Sequence, residues 1–315
     1  MKIVLGGNMY DDATMEQFIQ DAGDIGYEGV ELRGVGEWRE AKYALSKAHE
    51  VKKLLQENRV AATNLSLFVG NFCCNSEQEN EAEYAKWLDY LAFAEVIGCG
   101  MMRLNPGFQH SDEADRSDFN RSVKWFQKCA EAADELQIKT VVEMHHGTLC
   151  DSAESSIRFM EAVARSNVGL ILDPVNLYQV PAEYGMEAIR LIRPYLLNVH
   201  VKDIVELWGP RYPWAFEYGD YVAHIGQYHR VIPRKFEGPS KYYCHRLMNQ
   251  GGIDWHEVIG ALAEVGYSGP LTVESVSKKG SELPQYRELA AYSYRELMET
   301  LARTGVKPGS GERIR

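Results

Sequence analysis

Apolar residues along this chain alternate between short extended runs and longer stretches with helical spacing. Ile3–Leu5, closed by Gly6-Gly7, reads as a first strand, and Thr14 then starts a helix through Met15, Phe18, Ile19 and Ala22 that ends near Gly26. Gly29–Gly34 is a second strand with Glu31 and Arg33 on one face, followed by a helix from Tyr43 to Asn58. Ala61–Phe68 gives a third strand, and Tyr84, Trp87, Leu88, Leu91 and Ala94 trace a helix stopped by Gly98. Met101–Leu104, broken by Asn105-Pro106-Gly107, is the fourth strand, and Val123 to Leu136 carries the next helix. The fifth strand runs into Glu143, with Ile157, Met160 and Val163 on the helix behind it. Val168–Leu172 ends at Asp173-Pro174, a helix covers about Ala182 to Ile192, and Leu196–Val201 is a seventh strand carrying His200. Trp255 to Val265 is helical, Leu271–Glu274 is the eighth strand, and a last helix spans roughly Tyr286 to Arg303.

Eight strands, each followed by a helix, predict a single (β/α)8 TIM barrel over residues 1–303 rather than an open doubly wound sheet. No Gly-rich phosphate fingerprint follows the first strand. One segment breaks the rhythm. Residues 204–252 have little periodicity, whereas barrel connections have a median of about 4–6 residues. This long insertion after strand 7 holds Trp208, Tyr212, Trp214, Phe216, Tyr218, Tyr221, Tyr228, Phe236, Tyr242 and Tyr243, too many rings for a solvated loop. It is expected to be largely ordered, as a lid over the barrel mouth or an interface with another chain. Residues 304–315, rich in Gly and charge, are expected to form a disordered tail.

The composition is that of a soluble globular protein, with 45% apolar and 25% charged residues. A net charge of −11 argues against nucleic acid as the main partner. The N-terminus carries no long apolar h-region, and no apolar run approaches a membrane span. Six cysteines without CxxC or zinc-finger spacing read as reduced thiols, hence a cytoplasmic protein.

The chemistry gathers at strand ends. Val141-Val142-Glu143-Met144-His145-His146-Gly147 puts a carboxylate and an imidazole on one face of the fifth strand's end, with His146 facing away and structural. The ends of strands five to eight give Glu143, Asp173, His200 and Glu274. Catalytic groups of barrel enzymes stand at that end. Three carboxylates converging on one axis repel without a cation, and with one imidazole they suit a divalent ion, Mn²⁺ first, with Mg²⁺ or Co²⁺ as alternatives. A single polar strand end is commonly a cap, whereas four in succession point to a metal.

The set Gly26-Tyr27-Glu28-Gly29-Val30-Glu31-Leu32-Arg33, Glu143-x-His145, Asp173-x-x-Asn176, His200-Val201-Lys202-Asp203, Gly252-Ile253-Asp254-Trp255 and Thr272-Val273-Glu274 resembles the xylose-isomerase-like sugar isomerase/epimerase superfamily, from residue 1 to about 303. The resemblance implies a metal-dependent isomerase or epimerase acting on a sugar or oxo-sugar, with Glu143 and Glu274 as ligands that also face the substrate carbon. It implies Asn176 and Lys202 as substrate-contacting or orienting residues, with Arg33, Arg103 and Asn105 as weaker contact candidates or surface salt-bridge formers. Asp203 orients either Lys202 or a loop group. His145 is the leading general base or else a hydrogen-bond donor to substrate, with Glu143 and Glu274 as the alternative catalytic groups. A histidine beside the metal and the aromatic insertion also resemble the catalytic subunits of C-glycoside deglycosidases. Those enzymes eliminate an aromatic aglycone from a 3-oxo-glucoside and work with a smaller partner subunit. The partners expected are therefore a small-molecule sugar or glycoside, no nucleic acid and no membrane, in an oligomer. Two other readings are a non-catalytic sugar-binding barrel and an apurinic-endonuclease-like hydrolase, which would need more histidine ligands and a basic face.

Overall fold

A computed structural model describes residues 1–10, 13–180, 182–208, 215–234, 241–276 and 285–306. The strands are β1 (Lys2–Gly6), β2 (Gly29–Arg33), β3 (Ala61–Ser66), β4 (Met101–Arg103), β5 (Lys139–Glu143), β6 (Val168–Leu172), β7 (Leu196–Val201), β8 (Asp203–Leu207), β9 (Tyr242–Arg246) and β10 (Pro270–Val273). Eight of them close into a barrel in the order β1, β10, β7, β6, β5, β4, β3, β2, all pairs parallel, which is the predicted TIM barrel. Parallel neighbours require crossovers, and helices supply them.

Local signals set those helices. Thr14 caps the first, Met15–Ile25, by accepting from Gln17 N at 3.1 Å, and Gly26 ends it at φ 109°, where a side chain would be strained. The helical stretch expected from Tyr43 to Asn58 is two helices, Ala41–Ser46 and Ala48–Asn58, meeting at Lys47. The one expected from Ala182 to Ile192 begins later, at Met186–Ile192, and a separate short helix, Pro174–Tyr178, precedes it, with residue 181 outside the described residues. The helix expected around Tyr84–Glu95 runs over Glu77–Ile97, because Ser76 and Glu79 form a capping box ahead of it.

The main core lies between strands and helices, where Trp87, Trp125 and Trp255 are almost fully buried. A second, small cluster of Met101, Val141 and Ile171, with Leu197 packed on it, shares strand faces with Arg103, Glu143 and Asp173. It forms an apolar floor inside the barrel beneath the polar strand ends. Gly6 clears space beside this interior: a Cβ there would stand 2.8 Å from Val273 O and 2.9 Å from Glu274 Cγ. Gly6→Ala should therefore destabilise the fold by about 1–3 kcal/mol through overpacking and displace the Glu274 side chain. Chemical denaturation together with metal titration checks both effects.

The described residues of 204–252 are more regular than their sequence suggests. β8 and β9 pair antiparallel, from Asp203 opposite Arg246 to Leu207 opposite Tyr242, and a helix, Tyr218–Ile225, lies between them in sequence. Phe216 adds a bridge to Tyr243. Of the aromatic residues singled out there, Tyr212, Trp214 and Phe236 lie outside the described residues, as do residues 307–315 of the expected tail. Among the described residues, no helix is long and apolar enough to cross a membrane.

Candidate metal centre

Each of the four strand-end residues reaches the barrel axis for a local reason. Glu143 is the last residue of β5, and Asp173 follows β6 as the N-cap of Pro174–Tyr178. Asp173 Oδ1 accepts from Asn176 N at 3.1 Å, so capping occupies one oxygen and leaves Oδ2 to the cluster. His200 lies on β7, and Glu274 directly after β10, its backbone N–H donating to Val201 O. One ligand atom from each of the four residues falls within a group spanning 4.8 Å.

Around His200 Nδ1 stand Glu274 Oε2 at 3.0 Å, Glu143 Oε1 at 3.4 Å and Asp173 Oδ2 at 3.7 Å. Neither Nδ1 nor Asp173 Oδ2 makes an aligned hydrogen bond, although both are buried, and the Lys202 ammonium is 2.5 Å from that oxygen. Lys202 Nζ is also 3.5 Å from Glu274. Arg103 donates to Glu143 Oε2 and, at 3.1 and 3.2 Å, to Leu67 O, while Asn176 Nδ2 donates to Glu143 Oε1 at 2.9 Å. On the far side, Glu31 Oε1 is 3.2 Å from His200 Nε2.

Counting charges decides what this arrangement can hold. The ion pairs link four carboxylates (Glu31, Glu143, Asp173 and Glu274) to two permanent cations, Arg103 and Lys202. With neutral His200 the cluster carries two uncompensated negative charges, and with its imidazolium one, at a depth where isolated charge costs several kcal/mol. The excess negative charge, with Nδ1 and Oδ2 buried and lacking an aligned hydrogen bond, fits a divalent cation held by Glu143, Asp173, His200 and Glu274. The same field acts on protonation. Burial opposes ionisation of Glu143, but Arg103 and His200 outweigh it and hold its carboxyl well below the usual range. Burial likewise opposes Glu274, but His200 and Lys202 bring it down to about 2. Burial disfavours the His200 imidazolium, yet Glu274 and Glu31 hold it well above its ordinary value.

A chamber of about 200 Å³ opens on Glu143 and Glu274 and is lined by His145, Lys202, Arg33, Arg103 and Asn105. It adjoins a larger space of about 660 Å³ that Asn176, His146, Phe216 and His245 help to line, and His145, Lys202, Tyr221 and His224 border both. All the sequence-predicted contact residues thus reach one or other chamber, in differing states. Arg103 is bound to a ligand. Asn105 Oδ1 accepts from Gly107 N and shapes the turn, and Arg33 stands 5.4 Å from the Phe68 ring centre. Asp203 serves a loop group and not Lys202: its carboxylate accepts from Ile204, Gly251 and Ile253 N at 3.0–3.3 Å.

The two histidines need a correction to the strand argument. β5 ends at Glu143, so period-two alternation no longer governs them. His145 does line the chamber, its Nδ1 2.7 Å from His146 O and its ring stacked on Tyr221 at 4.6 Å and 23°. His146 does not turn away. It is buried with its ring 4.9 Å from Tyr221, and Gly147 releases the chain at φ 75°, where a Cβ would stand 3.2 Å from Tyr218. Burial pushes both imidazoles down, His146 further. Sequence reasoning missed Tyr221 as a wall of the site and Glu31 as a partner of His200. The aromatic insertion was the signal for the first, and the inward alternation of Glu31 with Arg33 for the second.

Comparison with known proteins agrees with this frame. A family profile described as the xylose isomerase-like TIM barrel matches residues 19–307. The chain is similar to a 3-dehydroshikimate dehydratase of Bacillus anthracis, 20% identical over 229 residues, covering 73% of this chain and 79% of that enzyme. It is 22% identical over 189 residues to a D-psicose 3-epimerase of Agrobacterium fabrum, covering 58% of this chain and about half, 52%, of the epimerase. The IOLI protein, solved with a zinc atom bound, superposes with a TM-score of 0.69 over 96% of this chain and 99% of its own; its 16% identity speaks for the fold alone. With the family match spanning most of its length, the protein belongs to the xylose isomerase-like TIM barrel family.

Proposed function

We propose that the protein is a divalent-metal-dependent enzyme that removes a proton beside a carbonyl or hydroxyl of a sugar or oxo-sugar. The observation that carries this is the buried cluster of Glu143, Asp173, His200 and Glu274, its negative charge incompletely compensated, facing a chamber that fits one sugar-sized ring. A divalent ion there supplies Lewis acidity that makes the neighbouring substrate C–H more acidic. Mn²⁺ is the first choice for this oxygen-rich set, with Mg²⁺ or Co²⁺ next; a structural neighbour holds zinc.

His145 is the leading base. Its Nδ1 faces the His146 carbonyl, an acceptor, so Nδ1 carries the hydrogen and Nε2 keeps the lone pair. Stacking on Tyr221 fixes the ring plane. Glu143 or Glu274 is the alternative base. Lys202 and Asn176 orient ligands and substrate oxygens, with Arg33, Arg103 and Asn105 contributing to the chamber rim.

The outcome is isomerisation or epimerisation, as in the epimerase relative, or β-elimination that cleaves a C-glycoside of a 3-oxo-sugar. The second chamber favours the elimination branch, because a ring beyond the reacting sugar would meet Tyr221, Phe216, His146 and His245. Residues 204–252 then act as lid or interface. Trp208, 83% exposed at the end of β8, supports an oligomer or a smaller partner subunit. Six free, buried cysteines support a reducing compartment such as the cytoplasm.

Metal-loaded protein in D₂O with ketoses, 3-oxo-glucosides and aryl C-glycosides carrying a 3-oxo group should incorporate deuterium at a substrate carbon. An epimeric or isomeric sugar identifies the first branch and a released aromatic aglycone the second. Absence of exchange with every member of the panel would sink the reading.

A further inference from the structure

Glu31 sits on β2, across the barrel from the ligand-bearing strand ends, and is fully buried. A lone carboxylate inside a barrel is costly unless donors surround it. Two donors face it. Asn198 Nδ2 donates to Glu31 Oε2 at 3.0 Å, and His200 Nε2 stands 3.4 Å from the same Oε2 and 3.2 Å from Oε1, which has no aligned hydrogen bond. The orientation of the Asn198 amide is fixed from behind: its Oδ1 accepts from Thr272 Oγ1 at 3.0 Å and from Val199 N at 2.9 Å. With its oxygen so occupied, Asn198 turns its NH₂ to Glu31, and Glu31 is left as an acceptor for His200.

We propose that Glu31, held by Asn198 and Thr272, is the positioning residue of the metal centre, fixing His200 with hydrogen on Nε2 and its Nδ1 lone pair toward Glu143, Asp173 and Glu274. The inference rests on the reading of those four residues as metal ligands. The imidazole has two rotamer-related faces and two tautomers, and only one combination presents a bare nitrogen to the three carboxylate oxygens. Glu31 selects it, as outer partners of ligating histidines generally do. None of Glu31, Asn198 and Thr272 lines the chambers, so their effect passes through His200 and not through substrate.

The test uses full-length metal-free protein titrated with Co²⁺, followed by calorimetry and by the visible d–d bands. Glu31→Gln should weaken Co²⁺ affinity about 10–100-fold and shift the bands, since the amide no longer compels an Nε2–H donor. Thr272→Val, which keeps the shape and removes only the hydroxyl, should cause a smaller loss in the same direction. In the Glu31→Gln background it should cause no further loss, the signature of one chain of contacts. Wild-type affinity and spectrum in Glu31→Gln overturn the proposal; so do wild-type values in Thr272→Val if the first variant does not fold. Failure of the wild-type protein to bind Co²⁺ is a different result: it overturns the metal reading, and the positioning role with it.

Discussion

Stripped of divalent ions by a chelator and assayed in chelated buffer, the protein should lose turnover by at least about 10³-fold, the equivalent of several kcal/mol of charge stabilisation. Stoichiometric Mn²⁺, Mg²⁺ or Co²⁺ should restore it, in an order that names the working metal. The reason lies in the charge balance and not only in the ligand types. Two cations, Arg103 and Lys202, already sit among the four carboxylates, yet two negative charges remain uncompensated by permanent cations. Asp173→Asn removes one charge and a ligand oxygen, and His200→Ala removes the only nitrogen donor of the set, so both should cut metal affinity measured by calorimetry. The ion should also protect against unfolding, by about 4 kcal/mol at a thousandfold excess over its dissociation constant. Full turnover in metal-free protein would exclude the assignment.

His145→Ala should lower the rate by about 10²–10⁴-fold while binding metal as the wild type does. Position makes the imidazole the better base. Glu143 and Glu274 are committed to the cluster, where His200 and the flanking cations favour their ionised forms and lower their basicity. His145 lines the same chamber outside the cluster, and the His146 carbonyl fixes which of its nitrogens carries hydrogen. Solvent exchange separates the candidates. If the variant exchanges the substrate C–H as fast as wild type, the base is a glutamate and His145 only binds substrate. A variant that loses metal along with activity would show instead that the residue supports the ligand strand.

The barrel was legible because each strand is a compact apolar run and each helix has a periodic face, signals that survive without tertiary context. The convergence of Glu143, Asp173, His200 and Glu274 was legible for a related reason, since the fold puts every strand end in the same place. Less regular signals misled. The first two turns of Glu77–Ile97 are so acidic that apolar periodicity starts only at Tyr84, although Ser76 and Glu79 mark the true start. Tyr242–Arg246 pairs with a strand some forty residues earlier, and nothing local in either segment announces the other. His146 was misplaced by extending strand alternation past Glu143, where β5 stops. Glu31 was visible as an inward residue, but its partner Asn198 is 167 positions away.

The four clustered residues stand on or directly after barrel strands, whereas Tyr218–Ile225, which carries Tyr221 of the chamber wall, lies in sequence between two short strands outside the barrel. Inheritance can therefore act on the two parts separately. Changes at Phe216, Tyr221 or His224 alter what the mouth admits while the strands bearing Glu143, Asp173, His200 and Glu274 keep their register. A chain built this way can be refitted at its mouth, one side chain at a time, while the buried cluster keeps its spacing.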